Sequence, residues 1–231
     1  LRTLTQAGGY MHPNLIREFA DYCVLKGINF FSMYGQTEAS PRISYVPPEK
    51  AHSKAGTIGI PIPGGNIELR YDNGILITDP CVVGEMIYSG PNVCLGYSQS
   101  REDLYLGDLN HGVLHTGDLA MRDLDGYYKI VGRLNRFIKI YGNRINLNDV
   151  EELILSTLSV ESVCSGHDDV LEIYITNDSI SRVNTVRDLV LSNLRITIHS
   201  IRIYAIDVIP RNEFFKTVYA DLHPTKARFL L

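Results

Sequence analysis

The sequence lacks several features that would place a chain of 231 residues in a specialised class. Its four cysteines form no C-x-x-C pair, so neither a zinc cluster nor a disulfide framework is indicated. No apolar run approaches the ~18 residues of a membrane span, and no charged-then-apolar leader opens the chain. We therefore expect reduced thiols, no membrane span and a cytoplasmic location.

An excess of basic charge is also absent. The 22 lysines and arginines are outnumbered by 26 aspartates and glutamates, and the formal net charge is -4. No basic stripe of the kind that binds nucleic acid or anionic lipid is present, so neither partner is expected. Hydrophobic residues make up 45% of the chain, which is enough for one large core or two smaller ones.

The N-terminal part of the chain alternates helix and strand patterns. Apolar residues recur at helical spacing between residues 13 and 26, and Gly27 ends the pattern as a C-cap would. The residues expected to face the core are Leu15, Ile16, Phe19, Tyr22 and Leu25. The apolar run 28–33 then predicts a strand that stops at a polar loop beginning with Tyr34. Open α/β sheets bind ligands at such strand ends.

From residue 56 onwards the sequence indicates β-structure. Short alternating runs at 66–71, 74–78 and 84–89 are separated by Gly, Pro and Asp, which predicts a small antiparallel sheet or barrel. Alternation returns at 127–132. The polar segment 132–136 that follows is interpreted as a joint, with another short strand at 137–141.

Beyond the joint, helix and strand patterns again alternate. Residues 146–157 and 181–193 predict helices, with Asn148 as the N-cap of the first and Glu151 as its capping-box partner. The predicted strands are 160–165, 171–176 and 201–206. The expected fold class is mixed α/β and α+β: an α/β piece (1–55), a β subdomain (56–134), a hinge, and a compact α+β C-terminal domain (135–231).

Four motifs occur in a fixed order along the chain. They are Tyr34-Gly-Gln-Thr-Glu38, Thr116-Gly-Asp118, Gly132-Arg133 followed by Ile138-Lys139 and Gly142-Asn-Arg144, and Pro210-Arg211 followed by Lys216. In these motifs the chain resembles the adenylate-forming enzymes, the superfamily of acyl-CoA synthetases, adenylation domains of peptide synthetases and beetle luciferase. The resemblance implies that residues 1–134 are the C-terminal part of the large AMP-binding domain. Residues 135–231 would be the mobile C-terminal domain.

Asp118 and Arg133 are the expected ribose-binding residues. A carboxylate can accept hydrogen bonds from both hydroxyls of the sugar, and arginine is a donor that suits the same group. The resemblance implies that the two side chains hold the ribose of ATP or AMP. From residue types alone, a turn-capping Asp118 and an Arg133 in a surface ion pair explain them equally well.

The motif at 34–38 is expected to meet the adenine and the phosphates. Tyr34 offers a flat face for adenine, Thr37 a hydroxyl for phosphate, and Glu38 a hard oxygen ligand for Mg²⁺, and Gly35 belongs to the same nucleotide site. Without the neighbouring motifs, a core tyrosine, a helix-capping threonine and a solvated glutamate would be the simpler interpretation.

Three glycines are expected to allow a close approach to ligand. By resemblance, Gly8 and Gly9 bring the backbone against adenine, and Gly142 lies against the pantetheine arm of the incoming thiol. A turn explains Gly142 about as well, and a turn is the more common reason for a pair such as Gly8-Gly9.

Lys216 and Asn135 carry the expected catalytic cation and the expected hinge. The resemblance implies that Lys216 stabilises charge on the α-phosphate and the carboxylate oxygen during adenylation; a solvated surface lysine is the alternative. Phe215 stands where the family has glycine, and Asn135 where it has Asp or Lys. A hinge needs only a few residues that absorb backbone change, so Asn135 is still expected to serve.

The implied function is that of an AMP-forming acid-thiol ligase. A small carboxylic acid would react with ATP and Mg²⁺ to give an acyl-adenylate, and a thiol of CoA or of a phosphopantetheine on an acyl-carrier protein would take the acyl group. The alternative, favoured by Phe215 and Asn135, is a non-catalytic nucleotide-binding or scaffold domain. The family's phosphate-binding loop ends in lysine and lies upstream, and no Gly-Lys pair occurs here. We therefore expect a fragment that cannot complete adenylation alone.

Overall fold

The computed structural model describes residues 1–213, 217–222, 224 and 227–231. The chain divides into two compact units, residues 1–134 and 135–231. Each unit has hydrophobic clusters made of its own residues. The mixed α/β and α+β fold class expected from the sequence is confirmed.

The first sheet contains a parallel strand pair with a helical crossover. Strand β1 (Thr3–Gln6) pairs in parallel with β2 (Asn29–Tyr34), and helix α1 (Pro13–Lys26) connects them. Strands β3 (Ser44–Val46) and β4 (Ile60–Pro61) extend this sheet in antiparallel orientation. Because β1 and β2 are parallel, their carboxyl ends lie at the same edge of the sheet.

Helix α1 has the predicted bounds but buries a different face from the one expected. Gly27 closes the helix in the left-handed conformation, with a φ of 64°. The buried residues are Ile16, Ala20 and Cys23. Of the predicted core residues only Ile16 is buried, whereas Leu15, Phe19, Tyr22 and Leu25 are 38 to 83% exposed. The prediction of the buried face was therefore wrong, because the face of α1 that packs with Phe30 and Ala51 is formed by Ile16, Ala20 and Cys23.

The second sheet is an antiparallel meander. Its strands are β5 (Asn66–Arg70), β6 (Val83–Ser89), β7 (Val113–Arg122) and β8 (Tyr128–Arg133), paired in chain order. The predicted strand at 74–78 is not a strand of this sheet, since Leu76 forms only an isolated bridge with Arg70. The predicted joint is also shorter than expected, because β8 continues through Arg133.

A 3₁₀ turn, Leu134–Arg136, spans the boundary between the two units. A hairpin of β9 (Phe137–Ile140) and β10 (Asn143–Asn146) leads into helix α2 (Leu147–Leu158). A further sheet has the strand order β11 (Ser162–His167), β12 (Val170–Thr176), β13 (Ile201–Ile206), β14 (Arg228–Phe229). Helix α3 (Val183–Leu194) connects the parallel pair β12 and β13. No helix in the described part of the chain is long and apolar enough to cross a membrane.

The start of α2 differs in detail from the prediction. Asn146, not Asn148, is the N-cap, and its side chain accepts a hydrogen bond of 3.1 Å from the Asn148 backbone N–H. The residue three positions after this cap is Asp149, which accepts a hydrogen bond from the Asn146 amide. The Glu151 carboxylate instead pairs with Arg136. The predicted capping box was therefore wrong.

Candidate functional site

Three segments that are distant in the sequence converge on Asp118. Tyr34 ends β2, Asp118 lies in β7, and Arg133 ends β8 directly opposite Asp118. The Arg133 Nε atom lies 2.7 Å from Asp118 Oδ1, and the Tyr34 hydroxyl donates to Oδ2. The structure thus brings together three of the residues that the sequence singled out.

The Asp118 carboxylate is almost completely buried. The residue is 2% exposed, and a charge removed from water in this way requires donors around it. Thr116 supports the same part of β7: its Oγ1 accepts a hydrogen bond from the Asp118 backbone N–H at 3.1 Å and donates to the Met86 carbonyl at 2.7 Å. The Arg133 side chain is 55% exposed, so the guanidinium that pairs with this buried carboxylate is accessible from solvent.

Tyr34 is held as a hydrogen-bond donor. Burial raises the pKa of the Tyr34 hydroxyl, and the neighbouring negative charge of Asp118 raises it further. The phenol therefore keeps its proton throughout the physiological range and donates it to the carboxylate.

Gln36 belongs to the same cluster, although its residue type gave no indication of a role. Its Nε2 atom lies 2.8 Å from the Thr116 carbonyl oxygen, 3.1 Å from Asp118 Oδ2 and 3.1 Å from the Tyr34 hydroxyl oxygen. The only sequence signal for it was its position inside the Tyr34–Glu38 motif. Thr116 likewise stood out only as part of a motif, and its hydroxyl contacts the backbone of Met86 and Asp118.

Gly35 is required by the packing of the backbone. A Cβ atom at this position would collide with the Pro41 carbonyl group, closer than any real side chain approaches. This close contact explains the glycine through the fold of the loop. Its expected place in the nucleotide site stays a prediction.

Thr37 and Glu38 lie in the 3₁₀ turn Thr37–Ala39. Thr37 is exposed, while the Glu38 carboxylate accepts a hydrogen bond from the Tyr97 hydroxyl. This hydrogen bond lowers the pKa of Glu38, which keeps the carboxylate ionised as a cation ligand must be. Like the contacts of Gln36, this contact between Tyr97 and Glu38 was not indicated by the sequence.

Glu38 is suited to a magnesium ion that also binds phosphate. Protein sites for Mg²⁺ commonly supply one or two carboxylates, and substrate phosphates and water complete the octahedron. Among the residues that the structure describes, no group of three or more His, Cys, Asp and Glu could hold a metal ion. A single ionised carboxylate such as that of Glu38 is compatible with a Mg²⁺ ion whose other ligands are phosphate and water.

Gly8 and Gly9 follow β1 at the sheet edge where β2 also ends. Gly8 has a φ of 86°, which favours glycine. Gln6 anchors the loop, since its Nε2 donates to the Gly9 carbonyl at 2.7 Å and its Oε1 accepts the Ser32 hydroxyl at 3.1 Å. The two glycines thus lie in a loop tied to β2.

An open cavity of about 540 Å³ lies beside this loop. Its lining includes Gly9, Tyr10, Leu15 and Phe19, but not Tyr34, Asp118 or Arg133. The cavity is lined mainly by apolar side chains, with Thr5, Gln6 and His12 among them, whereas a buried charge with several donors is found at Asp118. We therefore take the cluster of Tyr34, Gln36, Asp118 and Arg133, hereafter the Asp118 cluster, as the candidate site.

The remaining predicted residues belong to the second unit. Gly142 has a φ of 82° and follows Tyr141 with a φ of 49° in the two-residue turn between β9 and β10, as a type I′ turn requires. Asn135 lies in the 3₁₀ turn where the chain passes from one unit to the other. Lys216 and its neighbour Phe215 lie outside the described residues.

Comparisons with known proteins agree with the motifs. The family model described as AMP-binding enzyme matches residues 1–98. A long-chain-fatty-acid–CoA ligase of Salmonella typhimurium is 33% identical over 162 residues, which are 70% of this chain and 28% of that protein. A 2-succinylbenzoate–CoA ligase of Bacillus cereus is 33% identical over 156 residues, covering 68% of this chain and 31% of the relative.

A solved structure extends the likeness over the whole chain. O-succinylbenzoate coenzyme A synthetase from Bacillus subtilis, in complex with AMP, is similar with a TM-score of 0.72 and 28% identity, covering 100% of this chain and 47% of that one. This chain belongs to the adenylate-forming superfamily. The chain spans about half the length of the synthetase and 28 to 31% of the lengths of the two CoA ligases. The same synthetase in complex with ATP and magnesium ion gives a TM-score of 0.68 at 27% identity.

Proposed function

We propose that the protein is an AMP-forming acid-thiol ligase and that the Asp118 cluster is part of its nucleotide site. The observation that carries this proposal is the convergence of Tyr34, Gln36 and Arg133 on one buried carboxylate, in a chain whose relatives are CoA ligases. The reaction joins a carboxylic acid to ATP with release of pyrophosphate. A thiol of CoA or of a carrier protein then displaces AMP from the acyl-adenylate.

The residues of the first unit bind and orient the nucleotide in this proposal. Asp118 accepts ribose hydroxyls, and the accessible guanidinium of Arg133 donates to the same sugar. The Tyr34 ring and the backbone at Gly8 and Gly9 contact adenine. The Thr37 hydroxyl donates to a phosphate oxygen.

Glu38 is the proposed protein ligand of the magnesium ion. When bound, Mg²⁺ neutralises charge on the phosphate that reacts and on the pyrophosphate that leaves. The Tyr97 hydroxyl restrains the Glu38 carboxylate. Gly35 shapes the loop that presents both Thr37 and Glu38.

In this proposal the second unit contributes a different residue to each of the two half-reactions. Lys216 would stabilise the charge that develops on the α-phosphate and the carboxylate oxygen during adenylation. Rotation about Asn135 would then present Gly142 to the pantetheine arm of the thiol. Such a rotation lets one nucleotide site serve two successive reactions.

Carboxylate-dependent exchange of pyrophosphate into ATP tests the proposal in the intact protein. We expect exchange by the wild type, a loss of roughly a hundredfold in Asp118→Asn, and no loss in the control Asp188→Asn, which removes an exposed ion pair. Absence of exchange with every carboxylate would overturn the proposal and favour the non-catalytic nucleotide-binding domain.

The role of Lys216 is tested by separating the half-reactions. Lys216→Ala should slow adenylation far more than thioester formation from supplied acyl-adenylate, because the cation acts on charge that develops only in the first step. Equal losses in both half-reactions would contradict this assignment.

A further inference from the structure

Gln36 is the residue of the Tyr34–Glu38 motif to which no binding or catalytic role has been assigned. It follows β2 in an extended conformation, with φ of -127° and ψ of 156°, and it precedes the turn that carries Thr37 and Glu38. Its side chain is part-buried and reaches β7, which belongs to a different sheet of the same unit.

The side-chain amide of Gln36 makes its shortest contact with the backbone of β7. Its Nε2 atom lies 2.8 Å from the Thr116 carbonyl oxygen and 3.1 Å from Asp118 Oδ2, two residues further along the same strand. An amide nitrogen carries two hydrogens, so it can donate one to the carbonyl and share the other between Asp118 Oδ2 and the Tyr34 hydroxyl oxygen, which also lies at 3.1 Å. The carboxylate is therefore tied to its own strand through the amide.

The two oxygens of Asp118 are restrained from different sides. Oδ1 accepts from Arg133 on β8, and Oδ2 accepts from Tyr34 and Gln36 on the β2 side. Donors on both oxygens fix the plane of a carboxylate as well as its position. Tyr34 donates its single proton to Oδ2, and Gln36 adds a second donor to the same oxygen.

From these contacts we infer that Gln36 is a positioning residue, which orients the Asp118 carboxylate for hydrogen bonds to the hydroxyls of a ribose. This inference rests on the proposed function, since it takes Asp118 to be the sugar-binding group. It adds that the preference for a ribonucleotide depends on the Gln36 amide, which contacts both the Asp118 carboxylate and the Thr116 carbonyl.

The first test compares AMP with 2′-deoxy-AMP by isothermal titration in the intact protein. Gln36→Met keeps the side-chain length and removes the donor, and it should weaken AMP binding roughly tenfold. Binding of 2′-deoxy-AMP should weaken less, so the preference for AMP shrinks. Gln99→Met, at an exposed loop position, is the matched control and should change neither affinity.

Thermal unfolding measured on the same variants separates positioning from stability. A lower melting temperature with an unchanged ratio of the two affinities would overturn the inference, because it would show a merely structural role. Gln36→Leu has a similar size, also lacks the donor and brings no charge next to Asp118. It provides the same comparison of affinities if the methionine variant does not fold.

The second test is a double-mutant cycle with Asp118→Asn. If Gln36 acts through Asp118, Gln36→Met should have little further effect on AMP binding in the Asp118→Asn background, whereas additive losses would overturn the inference. Unchanged AMP affinity in Asp118→Asn alone would instead refute the proposed ribose site. Weakened binding in Asp118→Asn together with normal binding in Gln36→Met would refute only the role of Gln36.

Discussion

At the scale of single residues, the structure keeps one carboxylate out of water and surrounds it with donors. Removing a carboxylate from solvent costs several kcal/mol unless it is paired. Asp118 is paired with Arg133 and also accepts hydrogen bonds from Tyr34 and Gln36. Because Oδ2 already has two donors, a ribose hydroxyl would be received at Oδ1 or in place of the Tyr34 hydroxyl.

The contact between Tyr97 and Glu38 gives a prediction about ionisation. The hydrogen bond from Tyr97 lowers the pKa of Glu38, so Tyr97→Phe should raise that pKa towards the ordinary value of about 4.3. The pKa can be measured by NMR titration of the Glu38 carboxyl carbon. Tyr105→Phe, at a tyrosine that is 85% exposed, should leave it unchanged.

The same shift sets the sign of the pH dependence. A carboxylate with a lowered folded pKa adds stability above its unfolded pKa, and that stability is lost as the pH falls through the folded pKa. Wild type should therefore exceed Tyr97→Phe in stability at neutral pH, and the difference should shrink in acid. A Glu38 pKa that is the same in both proteins would contradict the contact.

At the scale of elements, helix α1 shows how local pattern and tertiary packing differ. Ile16 is 4% exposed, while Leu15, its neighbour in the chain, is 41% exposed. Ile16→Ala should therefore lower the free energy of unfolding of the 231-residue chain by about 2–5 kcal/mol. Leu15→Ala should cost less than about 1 kcal/mol. Equal costs in urea denaturation would show that the buried face is misassigned.

The 3₁₀ turn at the boundary between the two units is tied to α2 and β11 through Arg136. The guanidinium lies 3.0 Å from Asn148 Oδ1 and 2.6 Å from the Cys164 carbonyl, and it pairs with Glu151. Arg136 and Glu151 are both largely buried, with side-chain exposures of 8% and 20%. Removing one partner of such a pair leaves an uncompensated charge.

Arg136→Met should destabilise the protein by about 3–5 kcal/mol in urea denaturation. Arg187→Met, which breaks an ion pair with the exposed Asp188, should cost at most about 1 kcal/mol and is the matched control. Burial raises the pKa of Glu151, and loss of Arg136 should raise it further. The destabilisation should therefore grow as the pH rises through that raised pKa and shrink in acid. A cost independent of pH would contradict this explanation.

At the scale of the whole molecule, the second unit has a core of its own. The main cluster joins residues of β9, β10, α2, β11, β12, α3 and β13, and Ile154, Val186 and Ile203 in it are fully buried. Residues 135–231 should therefore fold when expressed alone. Circular dichroism should show a single cooperative unfolding transition in urea. A fragment of residues 147–231 lacks Ile138, Ile140 and Ile145 of the same cluster and should not unfold cooperatively. A broad transition in the longer fragment would contradict its independence.

Local patterns in the sequence determined most elements and the superfamily. Helix α1 and strands β5, β6, β8 and β13 follow from periodicity and from turn residues, which act over a few neighbouring positions. Strand β7 was not predicted, and the strand predicted at 74–78 is not part of the meander. The four motifs likewise require only the order of residue types. Comparison with CoA ligases confirms the membership that they indicated.

Only the tertiary structure decided which faces are buried and which side chains meet. The contacts of Gln36 with Thr116 and of Tyr34 with Asp118 join residues 80 and 84 positions apart, and no local pattern encodes them. The buried face of α1 depends on how much surface β1 and β2 offer, and the partner of Glu151 depends on where Arg136 is placed. Such choices depend on distances between elements, so they become defined only when the sheets and helices have packed.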